Sequence, residues 1–257
     1  MATRELTETE KKLFDAIVAR FESQKESIEL FLESVHLWLT GSKRLMSLVH
    51  SVRRRVKSSR GLRDKLERKL FESEEQGRDF DITPDNLYSR ITDLAGYRIL
   101  HLHTRQMDQI NRVVLDLLDE GQYPLLEGPK ARIWDEESKS YFDGIGIETM
   151  ISPKLYSSVH YVIQSNYKTK LTCEIQIRTL ADEVWGEVDH AFNYPHETDS
   201  IACREQIKVL ARVASSCSRL VDSIFRSYED FQVTSATKEP PTGLRQSGSV
   251  PLEKREP

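Results

Sequence analysis

Apolar residues recur at helical intervals along the first forty positions, at Leu13, Phe14, Ile17, Val18, Phe21, Ile28, Phe31, Leu32, Val35 and Leu39. The spacing predicts an amphipathic helix interrupted before Gly41. Thr7-Glu8-Thr9-Glu10 opens it with the spacing of a capping box. A second helix is expected from about Ser42 into the basic stretch beyond, with Leu45, Leu48 and Val49 as its apolar stripe and Gly61 breaking or bending it. Thr83-Pro84 reads as an N-cap followed by proline in the first helical position, starting a short helix toward Arg90. A further helix begins at Gln106, turns Met107, Ile110, Val113, Val114, Leu117 and Leu118 inward, and stops at Gly121.

Elsewhere the period changes to two. Cys173, Ile175 and Ile177 alternate with Glu174, Gln176 and Arg178, so a strand over 170–178 buries one face and presents an acid, an amide and a cation on the other. Residues 157–165 read as a second strand, joined to the first by a short hairpin connection at Asn166-Tyr167-Lys168-Thr169. A third strand, 94–102, begins beside the carboxylate of Asp93. Residues 129–153 carry Trp134, Tyr141 and Phe142 among acids and glycines, a composition that suits a substrate-side loop or an edge strand.

Two helices close the pattern. Thr179 caps the first, with Asp182 at its third position. Val184, Trp185, Val188 and Phe192 form its apolar face, while Glu183, Glu187, His190 and Tyr194 form a polar one; Trp185 is expected in the core, and His190 and Tyr194 in structural roles. Pro195 ends this helix. The second shows a stripe of Ile207, Leu210, Ala214, Cys217, Val221 and Ile224, suited to packing on the domain or against a partner helix, as in a homo-oligomer. From Val233 the chain is rich in Pro, Gly, Ser, Thr and Lys and has no apolar period, which predicts disorder. The expected division is a helical extension over 1–41, a main domain over 42–200, a helix over 201–232 and a tail over 233–257. The fold class is α+β, a mixed sheet of about five strands flanked by helices with helical extensions at both ends.

Composition narrows the function classes. Of the 257 residues, 38% are hydrophobic and 30% charged, and no apolar run reaches the roughly 20 residues of a membrane span. The N-terminus lacks a signal-peptide core, so a cytoplasmic location without membrane attachment is expected. Cys173, Cys203 and Cys217 have neither paired nor metal-ligand spacing, which sets aside zinc and a disulfide framework. The net charge of −4 hides a local excess of cations from Lys43 to Lys69, opposed only by Asp64 and Glu67. That pattern points to an anionic ligand at one site, not to nucleic acid along the whole surface. Asp93 and Glu174, on neighbouring strand ends, are the carboxylates with which a nucleotidyl or pyrophosphoryl transferase holds Mg²⁺ against phosphate oxygens.

Four separated segments, in order, resemble the synthetase domain of the RelA/SpoT family. They are Arg55-Val56-Lys57-Ser58-Ser59-Arg60-Gly61-Leu62-Arg63-Asp64-Lys65; Asp93-Leu94-Ala95-Gly96-Tyr97-Arg98; Pro153-Lys154-Leu155-Tyr156-Ser157-Ser158-Val159-His160; and Glu174-Ile175-Gln176-Ile177-Arg178-Thr179 running on to Trp185 and Asp189-His190. The resemblance spans about Leu45 to Tyr194 and implies a nucleotidyltransferase-like sheet that transfers pyrophosphate from ATP to the 3′-hydroxyl of GDP or GTP, with Mg²⁺ as cofactor. It further implies that Arg55, Lys57 and Lys65 bind ATP, and that Asp93 and Glu174 are the catalytic, metal-binding pair. Lys154, Tyr156, His160, Gln176 and Arg178 would bind the acceptor, with Tyr156 stacking on its base. The chain departs from the family at Gly61, where a serine is usual, and at Leu155 and Ser157, where the tyrosine is usually flanked by Gly and Arg. The family's hydrolase and C-terminal regulatory domains are absent from the pattern. Two readings stand beside guanosine tetra- or pentaphosphate synthesis: transfer to another 3′-hydroxyl, of an adenine nucleotide or of tRNA, and a nucleotide-binding module without turnover.

Overall fold

The computed structural model describes residues 4–152, 155–194 and 197–237. The chain forms two units, residues 1–222 with the sheet and residues 223–257, whose described part is the last turns of a helix.

Thr7 caps α1 (Glu8–Glu22), its side chain accepting from the Glu10 amide while Glu10 reaches back to the Thr7 amide at 2.7 Å. A break at Ser23-Gln24 separates α1 from α2 (Lys25–Gly41), so the expected N-terminal helix is two helices. Both contribute to the main core, through Phe14, Ile17 and Phe21 of α1 and Phe31, Val35 and Leu39 of α2.

After the single turn α3 (Lys43–Met46), the basic segment departs from expectation. Its middle is not helical but forms an edge strand, β1 (Ser51–Val56). Arg53, Arg54 and Arg55 leave it too charged to bury, and long cations on an edge strand discourage pairing with another chain. Gly61 does not break a helix either. It is the third residue of α4 (Ser59–Glu75), where its amide donates to the capping Ser58 hydroxyl at 3.1 Å. Leu62, Leu66 and Leu70 of α4 enter the core.

The turn at Thr83 is real, with Thr83 and Asn86 exchanging side-chain-to-amide bonds, but regular helix starts only at α5 (Leu87–Arg90). Strand β2 (Ala95–His101) and helix α6 (Gln106–Glu120) follow as the periodicity predicts. Gly121 ends α6 in a right-handed conformation, with φ −79°. Its lack of a side chain serves packing instead, because a Cβ there would lie 2.7 Å from Trp38 Nε1.

Residues 125–151 are more regular than a loop. They form β3 (Leu125–Ile133), α7 (Glu136–Gly144) and β4 (Glu148–Ile151), a sheet edge with a covering helix. With β5 (Ser158–Gln164) and β6 (Thr172–Thr179), the sheet has six strands in the order β1-β2-β6-β5-β3-β4, one more than expected. The β2–β6 and β3–β4 pairs are parallel and the others antiparallel.

Register explains where the chemistry sits. One face of the central strands carries Tyr97, Ile99, Tyr161, Ile175 and Ile177, all buried in the core. On the opposite face, Arg53 pairs with Arg98, Arg98 with Gln176, Gln176 with His160, and His160 with Lys130, a polar row across five strands. Two residues along each strand, a second row places Arg55 beside Gly96 and Gly96 beside Glu174.

Helix α8 (Leu180–Asn193), capped by Thr179, contacts β2 and β6. Its buried residues are Asp182, Glu183 and Trp185, whereas Val184 and Phe192, expected inside, are 58% and 51% exposed. The helix meets a cationic sheet face, so acids are what it must bury. Helix α9 (Ile201–Thr237) extends past the expected end at 232, so residues 233–237 are helical; the rest of the predicted tail lies outside the described residues. Its inward face also differs, burying Ile207, Ala211, Ala214, Ser218 and Asp222 and leaving Cys217 exposed. Much of that face meets polar groups at the strand ends. Ser218 Oγ lies 3.0 Å from Thr179 Oγ1, and Asp222 Oδ1 lies 2.6 Å from His103 Nδ1.

Candidate active site

A cleft of about 250 Å³ opens between the polar sheet face and α8. Arg53, Arg54, Arg55 and Arg98 line it from β1 and β2, Asp93 from the turn before β2, Glu174 and Gln176 from β6, and Glu187 and His190 from α8. Of the residues singled out in the sequence, Arg55, Asp93, Glu174 and Gln176 thus share one cavity.

Asp93 lies in the turn before β2. Lys57 Nζ stands 3.1 Å from its Oδ2 and Lys65 Nζ 2.7 Å from its Oδ1. Asp93 Oδ1 is a buried oxygen whose only partner among the described residues is that Lys65 ion pair. Burial alone would raise the Asp93 pKa, but the two ammonium groups hold it at about 2, so the carboxylate is charged. Lys57 is pushed the other way: burial, with Lys65 and Arg55 nearby, lowers its pKa despite Asp93. The two lysines expected to meet ATP therefore have the expected metal carboxylate as their present partner.

Glu174 is gripped on both oxygens. Gln176 Nε2 donates to Oε2 at 2.8 Å, and His160 Nδ1 lies 2.9 Å from Oε1. An ionised carboxylate only accepts, so Nδ1 carries the proton in that bond. Nε2 on the other side of the ring lies 2.6 Å from Ser158 Oγ. Burial and the Asp93 charge raise the Glu174 pKa, but the bonds from His160 and Gln176 outweigh them and leave it below the ordinary carboxylate value. Glu174 is thus a fixed, ionised acceptor facing the cleft.

The remaining expected residues are placed differently. Arg178 is buried and pairs with Glu183 away from the cleft lining. The Tyr156 ring stacks on Trp185, centroids 5.0 Å apart and planes 20° apart, beside Ile207, Ala211 and Ala214. Lys154 lies outside the described residues. His190 lines the cleft and stacks on Tyr194 at 4.6 Å. Sequence reasoning missed Arg53, Arg98, Glu183 and Glu187 as neighbours. The alternation Arg53–Arg55 and Gly96–Arg98 on paired strands was the available signal.

Among the described residues, no group of three or more His, Cys, Asp or Glu side chains is placed to hold a metal. The donors present are two hard carboxylates in one cleft, one of them with a buried oxygen held only by the ammonium of a flexible lysine. That set fits Mg²⁺, which takes one or two carboxylates and completes its shell with phosphate and water.

A sequence model described as a region found in RelA / SpoT proteins matches residues 54–199, more than half of the chain. The chain belongs to the RelA/SpoT family. The match spans both carboxylates and ends just beyond α8. Solved structures share the fold at low identity. Small alarmone synthetase 1 from Bacillus subtilis, bound to its product pppGpp, is 20% identical with a TM-score of 0.57, covering 83% of this chain and 99% of that one. A GTP pyrophosphokinase family protein from Streptococcus pneumoniae is 19% identical with a TM-score of 0.56, covering 91% and 100%. The smu.1046c protein from Streptococcus mutans UA159 is 19% identical with a TM-score of 0.54, covering 80% and 93%. No curated protein matches the sequence. The RelA/SpoT fold is thus carried here as a mixed six-stranded sheet flanked by helices, and among the described residues no helix is long and apolar enough to cross a membrane.

Proposed function

We propose that this RelA/SpoT-family chain is a pyrophosphotransferase that moves the β,γ-diphosphate of ATP to the 3′-hydroxyl of GDP or GTP. The observation that carries the reading is the pairing of Asp93, charged and flanked by Lys57 and Lys65, with Glu174, charged and held by His160 and Gln176, in one arginine-lined cleft. Family membership and the fold shared with small alarmone synthetases support it.

In this reaction the acceptor 3′-oxygen bonds to the β-phosphorus of ATP, the α–β bridging bond breaks, and AMP leaves. Glu174 accepts the hydroxyl proton, and its two fixed hydrogen bonds aim the receiving oxygen before the acceptor arrives. Charge on the transferring oxygens is the main electrostatic problem in phosphoryl chemistry. Bound Mg²⁺ supplies part of that neutralisation, with Asp93 and Glu174 as the residues that would hold it. Arg55 offers a fork for two oxygens, while Lys57 and Lys65 offer movable point charges that exchange Asp93 for phosphate. Tyr156 provides the ring for the acceptor base, backed by Trp185. Lys154, His160 and Gln176 complete the acceptor side in this reading, with Arg178 acting from beneath through its pairing with Glu183.

The test is transfer of label. Purified protein is incubated with Mg²⁺, ATP labelled in its terminal phosphate and, separately, GDP, GTP, ADP and bulk tRNA. Label should move to GDP or GTP, and Glu174→Gln should cut that rate by roughly 10²–10⁴-fold. Transfer to ADP or tRNA instead would replace the guanine acceptor, and no transfer to any acceptor would make the chain a binding module.

A further inference from the structure

Arg53 and Arg98 face each other directly across the β1–β2 pair, and like charges in that position destabilise a sheet. Arg178 adds a third guanidinium from β6, buried and without a hydrogen-bond acceptor for its Nε among the described residues. One side chain answers all three. Glu183, only 5% exposed, places Oε1 3.0 Å from Arg98 Nη1 and 3.3 Å from Arg53 Nη1, and pairs through Oε2 with Arg178. Glu187, one turn on, takes a second bond from Arg98 at 2.7 Å.

Gly186 belongs to the same device. It sits inside α8, where glycine weakens a helix relative to alanine, so its presence needs a reason. A Cβ there would lie 2.6 Å from Arg178 Nη1 and 3.3 Å from Arg178 Cζ. The glycine clears the space that the Arg178 guanidinium fills. Burial and the neighbouring Arg98 both disfavour charge on Arg178, with Glu183 as the main compensation.

Glu183 does not line the cleft, whereas Arg53 and Arg98 do. Three arginines against Glu183 and Glu187 leave a net positive charge under the opening, with side chains whose positions are set before any ligand arrives. We propose that Glu183 is a positioning residue, with Gly186 as its steric companion, that holds Arg53, Arg98 and Arg178 as a preorganised cationic floor for a nucleoside polyphosphate. The inference rests on the nucleotide-transfer reading and adds to it the pair of α8 residues that sets nucleotide affinity without touching the reacting atoms.

The experiment measures binding of Mg²⁺ with a non-hydrolysable ATP analogue, and of GDP, to the full chain by calorimetry, alongside kcat and KM for transfer. Glu183→Gln should weaken at least one nucleotide by roughly tenfold or more, with KM raised and kcat changed far less. Gly186→Ala should do the same. A double-mutant cycle on melting temperature guards against a folding artefact: Gly186→Ala should lower it beside Arg178 and raise it in an Arg178→Met background, where helix propensity alone remains. Unchanged affinity for both nucleotides in both variants, or the same effect of Gly186→Ala in both backgrounds, would overturn the positioning role. A parent protein that bound neither nucleotide would instead remove the nucleotide-transfer reading, and this inference with it.

Discussion

Two aspartates largely withdrawn from water show how opposite environments give opposite pH dependence. Lys65 and Lys57 outweigh the burial of Asp93 and hold its pKa at about 2, below the ordinary 3.8. A carboxylate depressed in this way contributes stability that is fully present above its unfolded pKa and is lost as pH falls through about 2. The contribution is on the order of 2 kcal/mol. Asp93→Asn should therefore be less stable than the parent at pH 6 in urea denaturation, with the gap closing toward pH 2. Asp182 is buried near the N-terminus of α8, and burial raises its pKa from 3.8 to about 6 despite the 2.6 Å bond with Thr179 Oγ1 and the nearby Arg178 charge. Here the sign reverses. The neutral form is the stable one, and stability is lost as pH rises through about 6. Asp182→Asn keeps the shape and cannot ionise, so its advantage over the parent should grow from pH 4 to pH 8, to roughly 2–3 kcal/mol. A gap independent of pH would show that Asp182 titrates as it does in water.

At the scale of elements, the close approaches set what each helix tolerates. Gly121 at the end of α6 faces the Trp38 indole, whose Nε1 donates to the Leu117 carbonyl at 2.7 Å, and the Tyr123 ring, 2.9 Å from where a Cβ would stand. Propensity would favour alanine at this φ; packing forbids it. Gly121→Ala should cost roughly 1–3 kcal/mol in denaturant titration, with the loss falling on the contact between α2 and α6. The polar cap of α9 has a similar logic. Ser218 and Asp222 are buried because Thr179 and His103 at the strand ends need partners, which an apolar helix face could not supply.

Across the molecule, α9 reaches the site without entering it. Ile207, Ala211 and Ala214 pack on Trp185, the Trp185 indole donates to the Ile207 carbonyl at 3.0 Å, and Tyr156 lies stacked on the other side of that contact. Lifting α9 should therefore loosen Tyr156. Ala211→Arg puts a long cation where a 2%-exposed methyl group sits, and should destabilise by more than about 2 kcal/mol while shifting Trp185 emission to longer wavelength. On the proposed function it should also raise KM for the acceptor more than for ATP. Unchanged emission with normal stability would mean that the cluster does not hold the helix down.

What the sequence determined by itself is what alternation and caps encode: the three central strands, the α6 stripe, the capping of α1 by Thr7 and of α8 by Thr179, and the four motif segments in order. Those signals are local, because a strand with one buried face must alternate and a helix start must satisfy its free amides. The tertiary structure decided the rest. β1 is a strand because β2 offers it an edge, and its cations Arg53 and Arg54 are answered there by Glu183 and Glu33. The acidic side of α8 is buried and Val184 and Phe192 are exposed because the helix packs on a cationic sheet face. Hydrophobic periodicity reports burial against apolar surface only, so it inverts wherever the surface being covered is charged. The Lys57–Asp93–Lys65 cluster and the three arginines around Glu183 join residues up to 130 positions apart, and only the sheet register together with the placement of α4 and α8 brings them together.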